Sequence, residues 1–518
     1  MATQEQVIGT WILIFTYASV IMYFVIKGAL KIKNLSDYAV GNMNFSPVSV
    51  GLSLAASMTS AATFVINPGF IANYGLAGFI SFGIVFPIGS LLSLVILTKS
   101  FQKYGNSIKA LTLAQWIGKR YKSKSYSLFI AFLSLLLITF IVLIVVAITK
   151  VLSKSLNVDE LYILVGLVIF VFGYMMFGGA NSMVYTNTIQ AAIMIVVAII
   201  LLTSGYEHFN NGINSFFDKL FYIDPALVNI TNPASPLFRD LFEIILCQLI
   251  VGIAVVCQPH IITKSLLLKN DKDINKFLIV AAVTEGLFFL VVFAGFYARI
   301  TFPDLAIGGV ALKNDGIVPA YVIQTFANGT VSVVVGLIVV LGLISAGMST
   351  LEGLIQSVSS TITSDIIKPL MGEKINSDKR DILINRATIA VLAIVSFIIS
   401  YDQLISPKLS VAILAQNGVY AFFSAAFIPI LFGIFLKNVN LKAPLSASIT
   451  ALVVHFGIYY LLPILVSEFG LSFGAFNKYL VGTIRNPAIA SACAIIISTI
   501  VGFVIHFYTP NLEEQSNV

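Results

Sequence analysis

Gly51-Leu-Ser-Leu-Ala-Ala-Ser-Met-Thr-Ser-Ala-Ala-Thr-Phe-Val-Ile-Asn-Pro-Gly69 is apolar enough to cross a bilayer, yet it is dense in small and hydroxyl residues and carries Asn-Pro-Gly in its interior. Lipid cannot satisfy the backbone groups that Pro and Gly leave open, so such a helix must face other helices or line a cavity. The rest of the chain supplies those helices. Of its 518 residues 58% are hydrophobic and only 10% charged, and the mean hydropathy is +0.97. Soluble domains carry about 25% charged residues. The formal net charge of +7 therefore points to neither nucleic-acid binding nor a soluble enzyme; the sequence describes one polytopic membrane bundle.

About 20 apolar residues are needed per crossing. Thirteen segments meet that rule, at roughly 7–26, 45–73, 77–99, 126–149, 160–178, 184–205, 238–263, 277–298, 331–363, 385–401, 410–435, 443–463 and 486–507. Transmembrane barrels alternate polar and apolar residues, which these runs do not, so the expected fold is all-α. The first run has no A-x-A-like cleavage site after it and reads as a retained helix. An odd number of spans puts the termini on opposite sides. With the N-terminus outside, the inner loops, counting Lys264, Lys269, Lys374 and the 119–124 cluster, hold 21 of the 30 basic residues, which predicts N-out, C-in. The triplets starting at Asn229 and Asn328 match N-x-[ST], a pattern common by chance. Cys247, Cys257 and Cys493 lie in apolar stretches and read as small core residues rather than a disulfide framework.

A second unusual segment is Leu341-Gly-Leu-Ile-Ser-Ala-Gly-Met-Ser-Thr-Leu-Glu-Gly353. Gly342, Ala346, Ser349 and Gly353 are spaced four, three and four apart and share one face at 3.6 residues per turn. Either segment alone is explained by close helix packing. Together, the carbonyls of a discontinuous helix and the hydroxyls of a neighbour make an all-oxygen shell suited to a hard, dehydrated cation.

On these residues the chain resembles the sodium:solute symporter family, whose members carry proline, pantothenate, short monocarboxylates, sialic acid or sugars. The resemblance runs from about residue 7 to 507. Ala346-Gly-Met-Ser-Thr350, continuing through Ser357, Ser359 and Ser360 to Asp365, is similar to a helix of the bacterial proline symporter. Ala56-Ser-Met-Thr59 resembles the family's broken helix, Cys257-Gln-Pro-His260 its Gln-Pro-His turn, and Tyr185-Thr-Asn-Thr-Ile-Gln190 its Thr-Asp-x-x-Gln segment. The resemblance implies two five-helix inverted repeats, about 45–205 and 238–435, with peripheral helices at about 7–26, 443–463 and 486–507, in one transporter domain. It also implies alternating access around a midplane substrate, and Na+ as coupling ion. The implied sodium ligands are the carbonyls of Ala56, Thr59 and Ala346 and the hydroxyls of Ser349 and Thr350.

Where some members carry an aspartate that helps form a second sodium site, this chain has Asn187, while Glu352 and Gly353 replace serines on the ninth helix. Either the carboxylate has changed sides, making Asn187 and Glu352 a second cation or proton site, or that site is lost. Glu243, near the outer end of its helix, reads as able to reach water. Glu285 is as readily a structural pair as a functional acid. His260 and His455 read as hydrogen-bonded structural residues. No His/Cys/Asp cluster has metal spacing and no nucleophile or P-loop motif occurs, so neither an enzyme nor a metal other than sodium is expected.

The expected function is sodium-coupled import of a small organic solute across the plasma (inner) membrane, a carboxylate or amino acid, with the lipid bilayer as the other partner. Thr63, Asn67, Gln248 and Gln416 are candidate substrate donors, each equally suited to a helix–helix hydrogen bond. Three alternatives stand beside it: a membrane-embedded solute sensor, a proton-coupled carrier using Glu352, and a channel, for which no ring of charges is evident. Oligomeric state is not legible.

Overall fold

The computed structural model describes residues 2–268, 270–371, 377–406 and 411–509. Lys269, Lys374 and the tail beyond Thr509 lie outside the described residues. Ten helices are long and apolar enough to cross a membrane: Gln4–Ala29, Leu76–Ser107, Lys124–Leu156, Glu160–Phe209, Ile274–Thr301, Thr330–Met371, Asp378–Ile405, Val411–Phe435, Lys442–Phe469 and Pro487–Tyr508. Two further pairs pass the same test but bend sharply: Pro47–Met58 with Ala62–Tyr74 by 53°, and Phe242–Val255 with Pro259–Leu267 by 55°. The bundle is thus nearly all helical. Among the described residues the β structure is one small hairpin, Ala306–Ile307 against Val310–Ala311, which the hydropathy pattern does not reveal.

These are twelve segments, against thirteen read from the sequence. The difference lies at Gly179. The helix Glu160–Thr203 has 44 residues, about 66 Å at 1.5 Å per residue, which is roughly twice the hydrocarbon thickness. Gly179 interrupts it with φ +59° and ψ −165°. A Cβ there would stand 2.7 Å from the ring and 2.9 Å from the carbonyl of Tyr38, so both the positive φ and the close approach require glycine.

The break in the first bent helix is not where its Pro and Gly stand. Helix Pro47–Met58 ends at Thr59, whose φ −97° and ψ 97° leave the helical region, and the Ser60 hydroxyl accepts from Ala62 N at 3.1 Å to start the next segment. Asn67-Pro68-Gly69 lies about two turns later, at the start of Asn67–Tyr74, where the preceding π-helical turn Ala62–Ile66 absorbs the missing Pro N–H. Gly69 serves packing instead: a Cβ would lie 2.1 Å from the Asn314 carbonyl. The second bent helix does break at its proline, with Gln258 extended (φ −68°, ψ 136°) just before Pro259.

Both bent helices lie inside the bundle. Val411–Phe435 is also enclosed, whereas Gln4–Ala29, Asp378–Ile405 and Lys442–Phe469 turn most of their apolar surface outward, as lipid-facing helices do. The two ends of the bundle are distinct. At one, Ala2 N donates to Asn157 Oδ1 (3.1 Å) and Lys150 pairs with Asp315 (2.5 Å). At the other, Arg120 donates to the Gly433 and Leu436 carbonyls (2.8 and 2.5 Å), Thr112 to Asp365 (2.6 Å), and Lys368 pairs with Asp381 (2.6 Å). Glu243 does not reach water: it is buried, salt-bridged to Arg239 at 2.7 Å and within 3.4 Å of Asn486. Glu285 is fully buried with neither carboxyl oxygen hydrogen-bonded. The three cysteines are free, two buried and Cys493 half-buried.

Candidate functional site

A helix leaves its last four carbonyls without intrahelical donors. In Pro47–Met58 three of these carbonyls, those of the buried residues Ala55, Ala56 and Ser57, are met by side chains. The Ala55 carbonyl accepts from Thr59 N (3.1 Å) and Thr59 Oγ1 (2.5 Å). The next two are capped from another helix: Ser349 Oγ donates to Ala56 O at 2.7 Å and Thr350 Oγ1 to Ser57 O at 3.0 Å. Both hydroxyls also lie near the Ala346 carbonyl, at 3.2 and 3.4 Å. The structure thus brings Ala56, Ala346, Ser349 and Thr350 into one oxygen nest, all of them buried. Thr59 stands at the break beside it, its hydroxyl turned back to Ala55. Carbonyls and hydroxyls alone suit a hard monovalent cation.

Beside this nest lies a polar layer. Glu352, one turn beyond Ser349, accepts from Tyr174 Oη (2.7 Å) and Gln190 Nε2 (3.1 Å) at one carboxyl oxygen and from Thr186 Oγ1 (2.7 Å) at the other. Gln190 also donates to Tyr17 Oη at 2.8 Å. The kink at Gly179 places Tyr174 on one side of it and Thr186, Asn187 and Gln190 on the other, all turned toward the same carboxylate. The Asn187 amide is oriented by its neighbours: with Oδ1 toward Lys264 Nζ and Ser57 Oγ (2.9 Å each), its nitrogen donates to Glu352 (3.1 Å) and to Gln190 Oε1 (2.9 Å). Asn187 and Glu352, paired from the sequence, are therefore in contact.

Lys264 is the residue the sequence reading missed. Counted there as an inner-loop charge, it is only 3% exposed. Its ammonium donates to Ser53 O (2.9 Å), Ser53 Oγ (2.8 Å) and Ser57 Oγ (2.5 Å). The available signal was its spacing: four residues after His260, on the same helix face, and within a helical turn of the Gln-Pro-His break.

On the other side of the break a cavity opens between the two bent helices. It is narrow, with about 90 Å³ open to the centres of water-sized molecules, below the usual range for small-molecule sites. Thr63, Asn67, Gln248 and Gln416, the four candidate substrate residues, all line it, with Ser60, Gln258, His260 and Tyr420 and a wall of Phe82, Phe86, Phe140 and Phe289. No Asp, Glu, Lys or Arg is among these lining residues. Gln248 Nε2, Gln258 Oε1 and both ring nitrogens of His260 are buried without a hydrogen-bond partner. His260 is thus no satisfied structural residue, unlike His455, which meets Asn417 at 2.9 Å. Polar atoms without a protein partner on a cavity wall are available to a ligand's polar groups or to water. Met58 and Ser60 line this cavity while the carbonyls of Ala56 and Ser57 accept from Ser349 and Thr350 at the nest, so the two sites sit on successive residues of one broken helix.

Comparison with known proteins identifies the family. The sodium:solute symporter family profile matches residues 38–451. The sodium/pantothenate symporter of Haemophilus influenzae is 26% identical over 453 residues, covering 86% of this chain and 87% of that protein. The sodium/proline symporter of Staphylococcus aureus is 26% identical over 491 residues, covering 89% of each. A solved substrate-bound, outward-open Na+-coupled sialic acid symporter has the same fold, with TM-score 0.74 at 17% identity over 97% of this chain and 98% of that one. With its apolar helices, its paired breaks and a match spanning most of its length, the chain belongs to the sodium:solute symporter family, as a multi-pass membrane transporter, not an enzyme, with sodium as its coupling ion.

Proposed function

We propose that this transporter imports a small carboxylate or amino acid across the plasma membrane by alternating access, with sodium bound at Ala56, Thr59, Ala346, Ser349 and Thr350 and the solute in the adjoining cavity. The observation that carries the reading is the cavity itself: neutral donors and acceptors, several unpartnered, in an otherwise apolar pocket one residue from the oxygen nest. A cationic solute would find no counter-charge there. A carboxylate finds amide, hydroxyl and imidazole donors at Asn67, Gln248, Thr63 and His260. The names of the relatives, pantothenate and proline symporters, point to the same class of solute.

In this reading the chain has thirteen spans, with Glu160–Phe209 crossing twice around Gly179, and runs N-out, C-in. Spans two to six and seven to eleven form the inverted repeats. Each repeat then begins with a bent helix, by 53° in one and 55° in the other, which supports the pairing. Uptake of a panel of labelled carboxylates and amino acids into proteoliposomes, with and without an inward sodium gradient, tests the function. Accumulation of one of them only with the gradient supports it; sodium-independent uptake, or none, overturns it.

A further inference from the structure

We propose that the Lys264 ammonium is a tethered second cation, filling the place between the broken helix and Glu352 so that a single sodium ion binds per transporter. The inference rests on the sodium nest of the proposed function and adds to it what stands next to that nest. Four oxygens of three residues surround Nζ: Ser53 O, Ser53 Oγ, Ser57 Oγ and, in the amide orientation its neighbours require, Asn187 Oδ1, at 2.5 to 2.9 Å. This is a cation site by its chemistry, carbonyl and hydroxyl and amide oxygen, and the occupant is covalently attached.

The counter-charge is also built in. Asn187 lies between Lys264 and Glu352, its oxygen on the ammonium and its nitrogen on the carboxylate. An amide is the side chain that can do both at once. An aspartate there would turn an acceptor toward Glu352 and set two carboxylates against each other. The three residues therefore form one buried unit of no net charge: cation, bridging amide, anion. Glu352 receives its remaining hydrogen bonds from Tyr174, Thr186 and Gln190, so its oxygens are taken without a free metal ion. Ser57 joins this unit to the nest. Its Oγ accepts from Lys264 and lies 3.1 Å from the Ser349 carbonyl, and its own carbonyl is capped by Thr350.

The test is a count of bound sodium, which needs no knowledge of the solute. Radioactive 22Na+ is titrated onto the purified full chain in detergent by equilibrium binding, with size-exclusion profiles as the check on folding. The wild type is expected to bind one ion per chain. Lys264→Ala empties the oxygen site and leaves Glu352 unbalanced, and is expected to bind two. Lys264→Ala with Glu352→Gln removes the anion as well, and the count returns to one. A merely structural lysine predicts loss of monodisperse protein without any gain of sodium. Two ions in the wild type, or one in a well-folded Lys264→Ala, would overturn the inference. A wild-type count of two overturns the inference even if the alanine variant does not fold, and Lys264→Ser, which restores an oxygen in the emptied space, tests the gain in its place, one ion in a folded Lys264→Ser overturning the inference. No sodium binding in the wild type at any concentration would instead overturn the sodium nest on which the inference rests.

Discussion

Ser349→Ala separates two roles that one hydroxyl plays. In the structure Ser349 Oγ caps the Ala56 carbonyl at 2.7 Å, and Ala56 is fully buried with the helix ended three residues on. Removing the hydroxyl strands that carbonyl, at a cost of about 1–3 kcal/mol in stability. Alanine itself is helix-compatible and small, so no strain is added. If the same oxygen is a sodium ligand, its interaction with the ion is comparable to a hydrogen bond to a charged group, about 1.5–3 kcal/mol. At 1.4 kcal/mol per decade, sodium affinity falls roughly 10- to 150-fold. Thermal unfolding of the purified chain across a wide sodium range reads both effects, because a ligand that binds the folded state stabilises by RT ln(1 + [Na+]/Kd). The melting temperature without sodium reports the lost cap, and the sodium concentration at which stabilisation begins reports the ion site. Thr361→Ala is the control, since that hydroxyl caps only Ser357 on its own helix (2.8 Å). A Ser349→Ala protein whose baseline falls while its sodium midpoint stays at the wild-type value would refute the ligand role and leave Ser349 as a cap alone.

Other expectations follow from the same contacts. Lys124→Cys and Asn211→Cys are both at exposed positions; an impermeant thiol reagent on intact cells should label Asn211→Cys and spare Lys124→Cys, and the reverse pattern inverts the topology. Gln248→Ala should raise KM for the transported solute by about 5- to 150-fold, for a buried polar partner worth about 1–3 kcal/mol, with the sodium midpoint unchanged; an unaltered KM in uptake assays removes Gln248 from the site. Gly179→Ala should lower the melting temperature through about 1–3 kcal/mol of backbone strain plus the 2.7 Å clash with Tyr38, and wild-type melting would mean the kink relaxes. Burial alone would raise the Asp240 carboxyl, but hydrogen bonds from Lys478 (2.5 Å) and Tyr479 (2.7 Å) outweigh it and hold the group below its ordinary value. A depressed carboxyl adds stability above its unfolded pKa of about 4 and loses it as pH falls through the folded value; Asp240→Asn should therefore flatten the acid limb of stability against pH, by under about 1 kcal/mol for so exposed a pair.

Composition and hydropathy carried the architecture because each span is long, apolar and separately visible. Thr63, Asn67, Gln248 and Gln416 were legible as cavity residues for a related reason: a polar side chain in a transmembrane run has few places to go. The irregular points were less legible. Asn67-Pro68-Gly69 stands out in composition, yet the chain breaks at Thr59-Ser60-Ala61, at the end of the Ala56–Thr59 stretch that the family resemblance marks. Composition alone could not place it, because the break depends on what caps the freed carbonyls, and the caps come from Ser349 and Thr350, almost 300 residues away in sequence. Lys264 was hidden by its type. A lysine beside further lysines reads as a cytoplasmic loop charge, and only the path of the chain after Pro259 turns it inward.

The two bends are nearly equal in angle and opposite in origin. Pro259 has no N–H to return to the Val255 carbonyl, so the second bend is written into the covalent chain. Thr59, Ser60 and Ala61 all retain theirs. Nothing in those three residues forbids a continuous helix; what keeps them apart from it are hydroxyls supplied by a neighbour and by Thr59 itself. One joint is therefore hard-wired and the other conditional. The conditional one lies between the oxygen nest and the cavity, where whatever occupies either site bears directly on its shape.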